Sequence, residues 1–184
     1  MKTELRYLGY ELKKSLWRTV IFSAISVSLC LMITRSCTDT IYDNYKNTGI
    51  ATLAVLISIF AVLIPILELS GFKNRRNLDT LYFFPIKRTG MALVHFVSGF
   101  IQLAVIYTVT FASWFLYLLL TTSCFALGYM IPYYFATLAI GLVMYSFFCF
   151  TFSLGNNVAD GVILMLLWSF VASVVIATLF DGVV

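Results

Sequence analysis

Residues 91–120 read MALVHFVSGFIQLAVIYTVTFASWFLYLLL and contain no Asp, Glu, Lys or Arg. They lie within a longer run, 89–159, of 71 residues without a charged side chain. About 20 apolar residues in helical form cross the hydrocarbon core of a bilayer. Because backbone groups in lipid must be bonded within their own segment, this composition predicts membrane-spanning helices. A β-barrel is not expected, because runs such as Ala51–Leu67 do not alternate between polar and apolar residues.

The composition of the whole chain supports the same fold class. Of the 184 residues, 61% are hydrophobic and 11% are charged, and the mean hydropathy is +0.98. Soluble domains carry roughly 25% charged residues, so a soluble enzyme, a secreted disulfide scaffold and a disordered chain are all excluded. The net charge of +4 does not indicate a nucleic-acid partner, because the basic residues are concentrated in two short segments. Four cysteines without C-x-x-C spacing and a single histidine, His95, predict no Cys/His zinc site and no cofactor.

Uncharged stretches of spanning length predict a single all-α transmembrane domain over residues 1–184. We expect a bundle of five spans at 19–34, 50–67, 91–120, 132–154 and 162–180. Ahead of them, the leucines of residues 1–18 recur at helical spacing opposite Glu11, Lys13 and Lys14. This pattern predicts an amphipathic interfacial helix, the alternative being an ordinary solvated start to the first span.

The distribution of Lys and Arg predicts the orientation of the chain. Ten of the twelve basic residues lie before the first span or between the second and third spans, whereas the opposite side has only Arg35 and Lys46. Short loops rich in Lys and Arg stay in the cytoplasm. We therefore expect a cytoplasmic N-terminus, an external C-terminus, and a multi-pass protein of a bacterial plasma membrane.

Several side chains within the predicted spans suggest specific roles. Glu68 is expected to pair with Lys73 or with a basic residue of the N-terminal helix. His95 is either a proton relay or, the favoured reading, an interfacial histidine bonded to a neighbouring carbonyl. In the fourth span, Gly141 and Ser146 are candidates for close helix packing. The phenylalanines of that span are expected to face lipid rather than to line a substrate path, namely Phe147, Phe148, Phe150 and Phe152.

The cytoplasmic segment 68–90 is too apolar for a simple solvated loop. Leucine and aromatic side chains at its centre stand beside four or more cations. Asn77 is suited to cap a short helix there, and Pro85 would end it. A short helix of this kind either lies on anionic lipid or fits a groove on a soluble partner.

Residues 72–88, FKNRRNLDTLYFFPIKR, resemble the loop after the second membrane helix of type-2 ABC exporter permeases. That family has an F-x-x-R-R-x-x-D-x-L-Y-x-x-P-I-x-R pattern in this loop. Residues 154–157, LGNN, are also similar to the family's loop between the fourth and fifth spans. The resemblance covers most of the chain, and the loop motif is its most specific part.

The resemblance implies an exporter in which two permease subunits pair and two cytoplasmic ABC ATPase subunits bind beneath them. The segment between the second and third spans would be the coupling helix, seated in a groove of the ATPase. Its contact residues would be Arg75, Arg76, Leu78, Asp79, Leu81 and Tyr82. The chain has no G-x-x-x-x-G-K-[ST] motif, so it is not expected to be an enzyme, and ATP hydrolysis would belong to the partner.

The sequence departs from that family in the number of spans. Its members usually have six spans with both termini cytoplasmic, whereas five are counted here. The chain is therefore expected to be a truncated product or a fragment, and transport without further subunits is not expected. The alternative is a non-transporting membrane adaptor or immunity-type protein whose basic loop binds anionic lipid. The substrate, and the choice between a homodimer and a heterodimer, stay open.

Overall fold

The computed structural model describes residues 2–36, 42–73, 88–121 and 127–181. These residues form five helices and no strand, which confirms the all-α prediction. The helices are α1 (Lys2–Ser36), α2 (Tyr42–Lys73), α3 (Arg88–Thr121), α4 (Leu127–Leu154) and α5 (Val158–Asp181).

Four of the described helices contain segments long and apolar enough to cross a membrane. These segments are Arg6–Arg35, Gly49–Gly71, Thr89–Leu120 and Met130–Leu154. They are typical of a multi-pass membrane protein. The span predicted at 162–180 falls within α5, whose segment Val158–Val171 is apolar but shorter than 18 residues, and it stays a prediction.

Helix α2 occupies the centre of the bundle. It contacts the other four helices, while α1 packs mainly along α3, and α5 packs against α4 and α2. Large side chains fill the interior, and those with almost no exposed surface include Trp114, Tyr145 and Phe152. Close approach of α2 and α4 requires Gly141, because a Cβ atom there would overlap the Ile57 side chain. The predicted close packing at Gly141 is therefore confirmed.

The phenylalanines of α4 do not all face lipid, contrary to the prediction. Phe147 and Phe150 are exposed on the outer surface of the bundle, whereas Phe148 and Phe152 are buried in its core. Four phenylalanines within six residues cannot share one face of a helix, because successive residues are rotated by about 100°. The inward pair packs among apolar side chains of the core, so these rings do not line an open path.

Helix α1 differs from the prediction of a separate interfacial helix. Residues 2–36 form one continuous helix without a break near residue 18. Its buried face in the first half carries Tyr7, Glu11 and Ser15, whereas Leu16 is exposed. The side chains that face the bundle here therefore include polar ones such as Glu11 and Ser15, while Lys13 and Lys14 are exposed.

The connection between α4 and α5 follows its sequence signal. Asn157 precedes α5, and its backbone N–H donates to the Asp160 carboxylate at 3.3 Å. The Gly161 N–H donates in turn to the Asn157 carbonyl at 3.0 Å. An acidic side chain at the third helical position that accepts from the capping residue is half of a capping box. The two helices therefore separate at residues 155–157, where Asn156 and Asn157 favour a break, whereas Gly161 lies within the first turn of α5.

Candidate functional site

Polar side chains from α1, α2 and α3 meet at the end of the bundle where α2 finishes and α3 begins. Together they form the Glu68 cluster, which consists of Tyr7, Glu11, Arg18, Glu68, His95, Ser98 and Gln102. All of its members except Arg18 are buried. Ionisable groups inside a membrane bundle are costly and are usually paired with one another, so their convergence marks a candidate functional site.

Glu68 is the centre of this cluster. Arg18 Nη2 donates to Glu68 Oε1 at 2.5 Å, and Gln102 Nε2 donates to the same oxygen at 2.7 Å. The second carboxylate oxygen, Oε2, lies 3.3 Å from His95 Nδ1. Each of the three partners comes from α1 or α3, so one carboxylate of α2 joins three helices. The Glu68 side chain is only 2% exposed. These contacts therefore replace the hydrogen bonds that water would make to an exposed carboxylate.

The remaining contacts of the cluster are made by the His95 ring, the Glu11 carboxylate and the Ser98 hydroxyl. His95 Nε2 lies 3.2 Å from the Tyr7 hydroxyl, and the two rings meet edge to face with centroids 5.9 Å apart. The Glu11 carboxylate is buried and faces Lys14, whose Nζ is 3.7 Å away and mostly exposed. The Ser98 hydroxyl accepts a bond from Gln102 Nε2 at 3.2 Å. The cluster is therefore continuous from α1 through α2 to α3.

The spacing of charged residues along α1 predicts that the cluster lies near one boundary of the hydrocarbon layer. Arg18 and Arg35 bound the uncharged part of α1 and stand 17 positions apart, which corresponds to about 26 Å of helix. The hydrocarbon core of a bilayer is about 30 Å thick. Arg18 therefore marks one edge of that core, and the preceding turns, with Tyr7 and Glu11, extend toward the headgroups. The orientation predicted from the basic residues would make this the cytoplasmic edge.

The structure refines two predictions made for this region. Glu68 pairs with a basic residue of the N-terminal helix, Arg18, which confirms one of the two predicted partners. His95 differs from the favoured prediction, because its ring nitrogens face the Glu68 carboxylate and the Tyr7 hydroxyl of two other helices rather than a neighbouring carbonyl. The depth of the imidazole in the membrane stays a prediction, and its chemical surroundings were not foreseen.

Sequence reasoning did not single out Tyr7, Ser98 and Gln102. A signal was available for two of them, because His95, Ser98 and Gln102 are spaced by three and four residues in an otherwise apolar stretch. That spacing places polar groups on one face of a helix. For Tyr7 the sequence contains no such signal, since its role depends on the packing of α1 against α3.

The proposed coupling residues lie outside the described part of the chain. Residues 75, 76, 78, 79, 81 and 82 fall in the segment 74–87, between the end of α2 and the start of α3. The structure does establish what flanks this segment. Glu68 stands five residues before the end of α2, and His95 stands seven residues after the start of α3. The Glu68–His95 contact therefore joins the two helices from which the loop extends.

A second feature is an aromatic groove between the later half of α3 and the start of α4. Its volume is about 420 Å³, and its lining includes Phe111, Phe115 and Tyr134. The Thr108 and Tyr134 hydroxyls are hydrogen-bonded at 2.9 Å on its wall. The groove opens to the outside of the bundle, and its shape suits an apolar chain. Its lining contains no carboxylate, imidazole or basic side chain, so the Glu68 cluster is the stronger candidate site.

Comparisons of this chain with protein-family models, with curated proteins and with solved structures find no match.

Proposed function

We propose that this chain is the membrane permease subunit of an ATP-driven exporter, coupled to a separate cytoplasmic ATPase through the loop 72–88. The sequence resemblance of that loop supports the proposal, and the multi-pass helical bundle fits it. The observation that carries it structurally is the Glu68 cluster, which joins the two helices flanking the loop and ties both to α1.

The mechanism follows from how force would enter the bundle. Movement of the ATPase would push on the loop, and the loop extends from the ends of α2 and α3. Because Glu68 is hydrogen-bonded to Gln102 and faces His95, the ends of α2 and α3 would move together. Arg18 would carry the displacement to α1. Tilting of packed helices as a group is an established way to switch between two bundle states.

The proposal assigns the chemistry and the partners as follows. ATP hydrolysis belongs to the cytoplasmic subunit, because the chain contains no phosphate-binding loop motif. A second permease subunit, identical or different, completes the membrane half. On this account the chain contributes a path and a movable bundle, and the partner contributes the energy.

Substituting Arg75→Glu together with Leu81→Asp is expected to abolish co-purification with the ABC ATPase encoded beside its gene. The first change reverses a charge at the proposed joint, and the second places a carboxylate where an apolar side chain would enter the groove. The measurement is the amount of ATPase retained on the detergent-solubilised, affinity-tagged chain. Lys46→Glu, which reverses a charge on the side predicted to be external, is the control and should retain the ATPase. Undiminished binding by the double variant would contradict the proposed joint.

The alternative function is a membrane adaptor whose basic segments only hold anionic lipid. One observation favours it, namely that Lys13, Lys14 and Trp17 are exposed on α1 at the same end of the bundle as the loop. The two functions differ in what the loop recognises. Lipid binding weakens smoothly as salt rises, whereas docking into a protein groove requires the apolar residues. Leu81→Asp alone should therefore remove ATPase binding and leave vesicle binding nearly unchanged if the chain is a permease.

Residue 82 is expected to be inaccessible from outside the cell. In a Cys37→Ser, Cys124→Ser background, Tyr82→Cys should react with a membrane-impermeant maleimide only after the cells are opened. Lys46→Cys in the same background should react in intact cells, because the segment between the first two predicted spans is expected to be external. The remaining cysteines, Cys30 and Cys149, are buried. Labelling of residue 82 in intact cells would place the loop outside and exclude the ATPase joint.

A further inference from the structure

The two oxygens of the Glu68 carboxylate have different surroundings. Oε1 receives hydrogen bonds from Arg18 and Gln102, at 2.5 and 2.7 Å. Oε2 faces the imidazole of His95 instead, at 3.3 Å from Nδ1. The first oxygen is thus held by two donors, and the second by a longer hydrogen-bond contact with an imidazole that is itself a potential metal ligand.

The distance between these two atoms suits a shared metal ion. In a tetrahedral site with bonds of about 2.0–2.1 Å, two ligand atoms lie about 3.3–3.4 Å apart. Glu68 Oε2 and His95 Nδ1 already have this separation. A carboxylate oxygen of Glu11 is close as well, since one ligand atom from each of the three residues lies within 4.8 Å of the others. The ligands come from three different helices.

Neighbouring side chains hold these ligands as the outer contacts of metal sites do. A metal-bound imidazole is usually oriented by a hydrogen bond from its second nitrogen, and a bound carboxylate by donors to its free oxygen. His95 Nε2 lies 3.2 Å from the Tyr7 hydroxyl. Glu68 Oε1 is held by Arg18 and Gln102. On this arrangement Arg18 supports the site and does not occupy the position of the ion.

The charges that face this point leave room for a cation. Glu11 and Glu68 are both buried carboxylates, and the guanidinium of Arg18 compensates one of them. Lys14 faces Glu11, but its side chain is 64% exposed and its Nζ is 3.7 Å away, so its ion pair is a weak surface contact. A cation between the three ligands would compensate the second buried carboxylate.

We propose that the Glu68 cluster binds a first-row divalent transition metal, Zn²⁺ being the best fit, through Glu11, Glu68 Oε2 and His95 Nδ1. A mixed set of one imidazole and two carboxylates matches the donor types that Zn²⁺ takes in proteins, and three protein ligands leave a fourth position for water or another ligand. Ion binding would fasten α1, α2 and α3 at one point. The proposal rests on these contacts alone and is independent of the exporter function.

The test measures Zn²⁺ bound to the full-length chain purified in detergent without a polyhistidine tag. The background carries Cys37→Ser and Cys124→Ser, so that the buried Cys30 and Cys149 are the thiols that remain. Equilibrium dialysis with metal analysis should give one Zn²⁺ per chain. Glu68→Gln and His95→Ala should each weaken binding by at least about a hundredfold, since loss even of an outer contact costs about 10–100-fold. Tyr7→Phe should weaken it by about tenfold.

Asp160→Asn is the matched control, because Asp160 is an exposed carboxylate at the start of α5, and it should bind Zn²⁺ as the parent does. Co²⁺ provides a second measurement that does not depend on the folding of a variant. The parent chain should show the visible bands of four-coordinate Co²⁺ without thiolate charge transfer, and added imidazole should restore these bands in His95→Ala. Sub-stoichiometric binding by the parent, equal binding by His95→Ala, or a thiolate spectrum would overturn the proposal.

Discussion

Replacing Arg18 with methionine is expected to lower the free energy of unfolding by about 3 kcal/mol. The Glu68 carboxylate is buried and accepts its shortest hydrogen bond from Arg18. Without the guanidinium, that charge depends on Gln102 and His95 alone. Removing one partner of a buried ion pair typically costs about 3–5 kcal/mol. The Arg18 side chain is 36% exposed, which places the expected cost at the lower end.

Removing the other partner of the pair should cost less. Glu68→Gln replaces the carboxylate with an amide of nearly the same shape, whose oxygen still accepts from Gln102, and we expect a cost of about 1 kcal/mol. Arg18 then keeps its charge, but its long side chain reaches water. The double variant Arg18→Met, Glu68→Gln should be more stable than Arg18→Met alone, because it contains no uncompensated buried carboxylate.

These stabilities are measured by reversible unfolding in detergent–lipid micelles. Lys14→Met is the matched control, because it removes a mostly exposed cation of the same helix that lies 3.7 Å from its partner Glu11, and it should cost less than about 1 kcal/mol. Equal costs for Arg18→Met and Lys14→Met would show that the Arg18–Glu68 pair is not buried in the membrane. If the double variant lost as much free energy of unfolding as the two single variants together, the coupling between Arg18 and Glu68 would be contradicted.

Gly99→Ala is expected to destabilise the bundle by about 1–3 kcal/mol, although alanine is the better helix former. A Cβ atom at this position of α3 would overlap the Tyr145 hydroxyl and press against Ile64. Tyr145 has no exposed surface, and its hydroxyl donates to the Phe96 carbonyl at 2.9 Å. The ring therefore has no room to withdraw, and α3 and α4 must move apart.

Two further variants test this explanation in the same unfolding measurement. Tyr145→Phe removes the overlapping oxygen, so Gly99→Ala should cost less in that background than in the parent. Gly9→Ala is the control, because nothing lies within 4 Å of a Cβ atom there, and it should be neutral or stabilising by up to about 1 kcal/mol. A stabilising Gly99→Ala would mean that α3 and α4 are not in contact at this point.

The all-α class and the positions of the long apolar helices could be predicted from hydropathy alone, because each long uncharged run must form its own hydrogen bonds in lipid. What hydropathy does not predict is which face of a helix points inward. The leucines of α1 suggested a surface-lying helix, yet Leu16 faces outward and Glu11 faces the bundle. Which face of an amphipathic helix turns inward depends on whether water or lipid surrounds it. The sequence pattern does not specify those surroundings.

The candidate site was only partly foreseeable for a related reason. Pairing of Glu68 with the N-terminal helix followed from charge, since a buried carboxylate needs a cation. The positions of His95 and Gln102 beside it depend on how α3 is rotated about its axis, and packing across 34 residues of helix determines that rotation. The coupling residues Arg75 to Tyr82 stay a prediction from the loop motif.

The Arg18–Glu68 pair also bears on how the chain enters the membrane. Both residues belong to the first two helices, which leave the ribosome before α3, with its His95 and Gln102, has been made. A lone carboxylate opposes insertion by about 2.5–3.5 kcal/mol at the centre of a spanning helix and by less near its end, where Glu68 stands. With Arg18 already beside it, the first hairpin has an internal counterion at that position. The first two helices can therefore stay inserted before α3 is synthesised, without exposing an uncompensated charge to lipid.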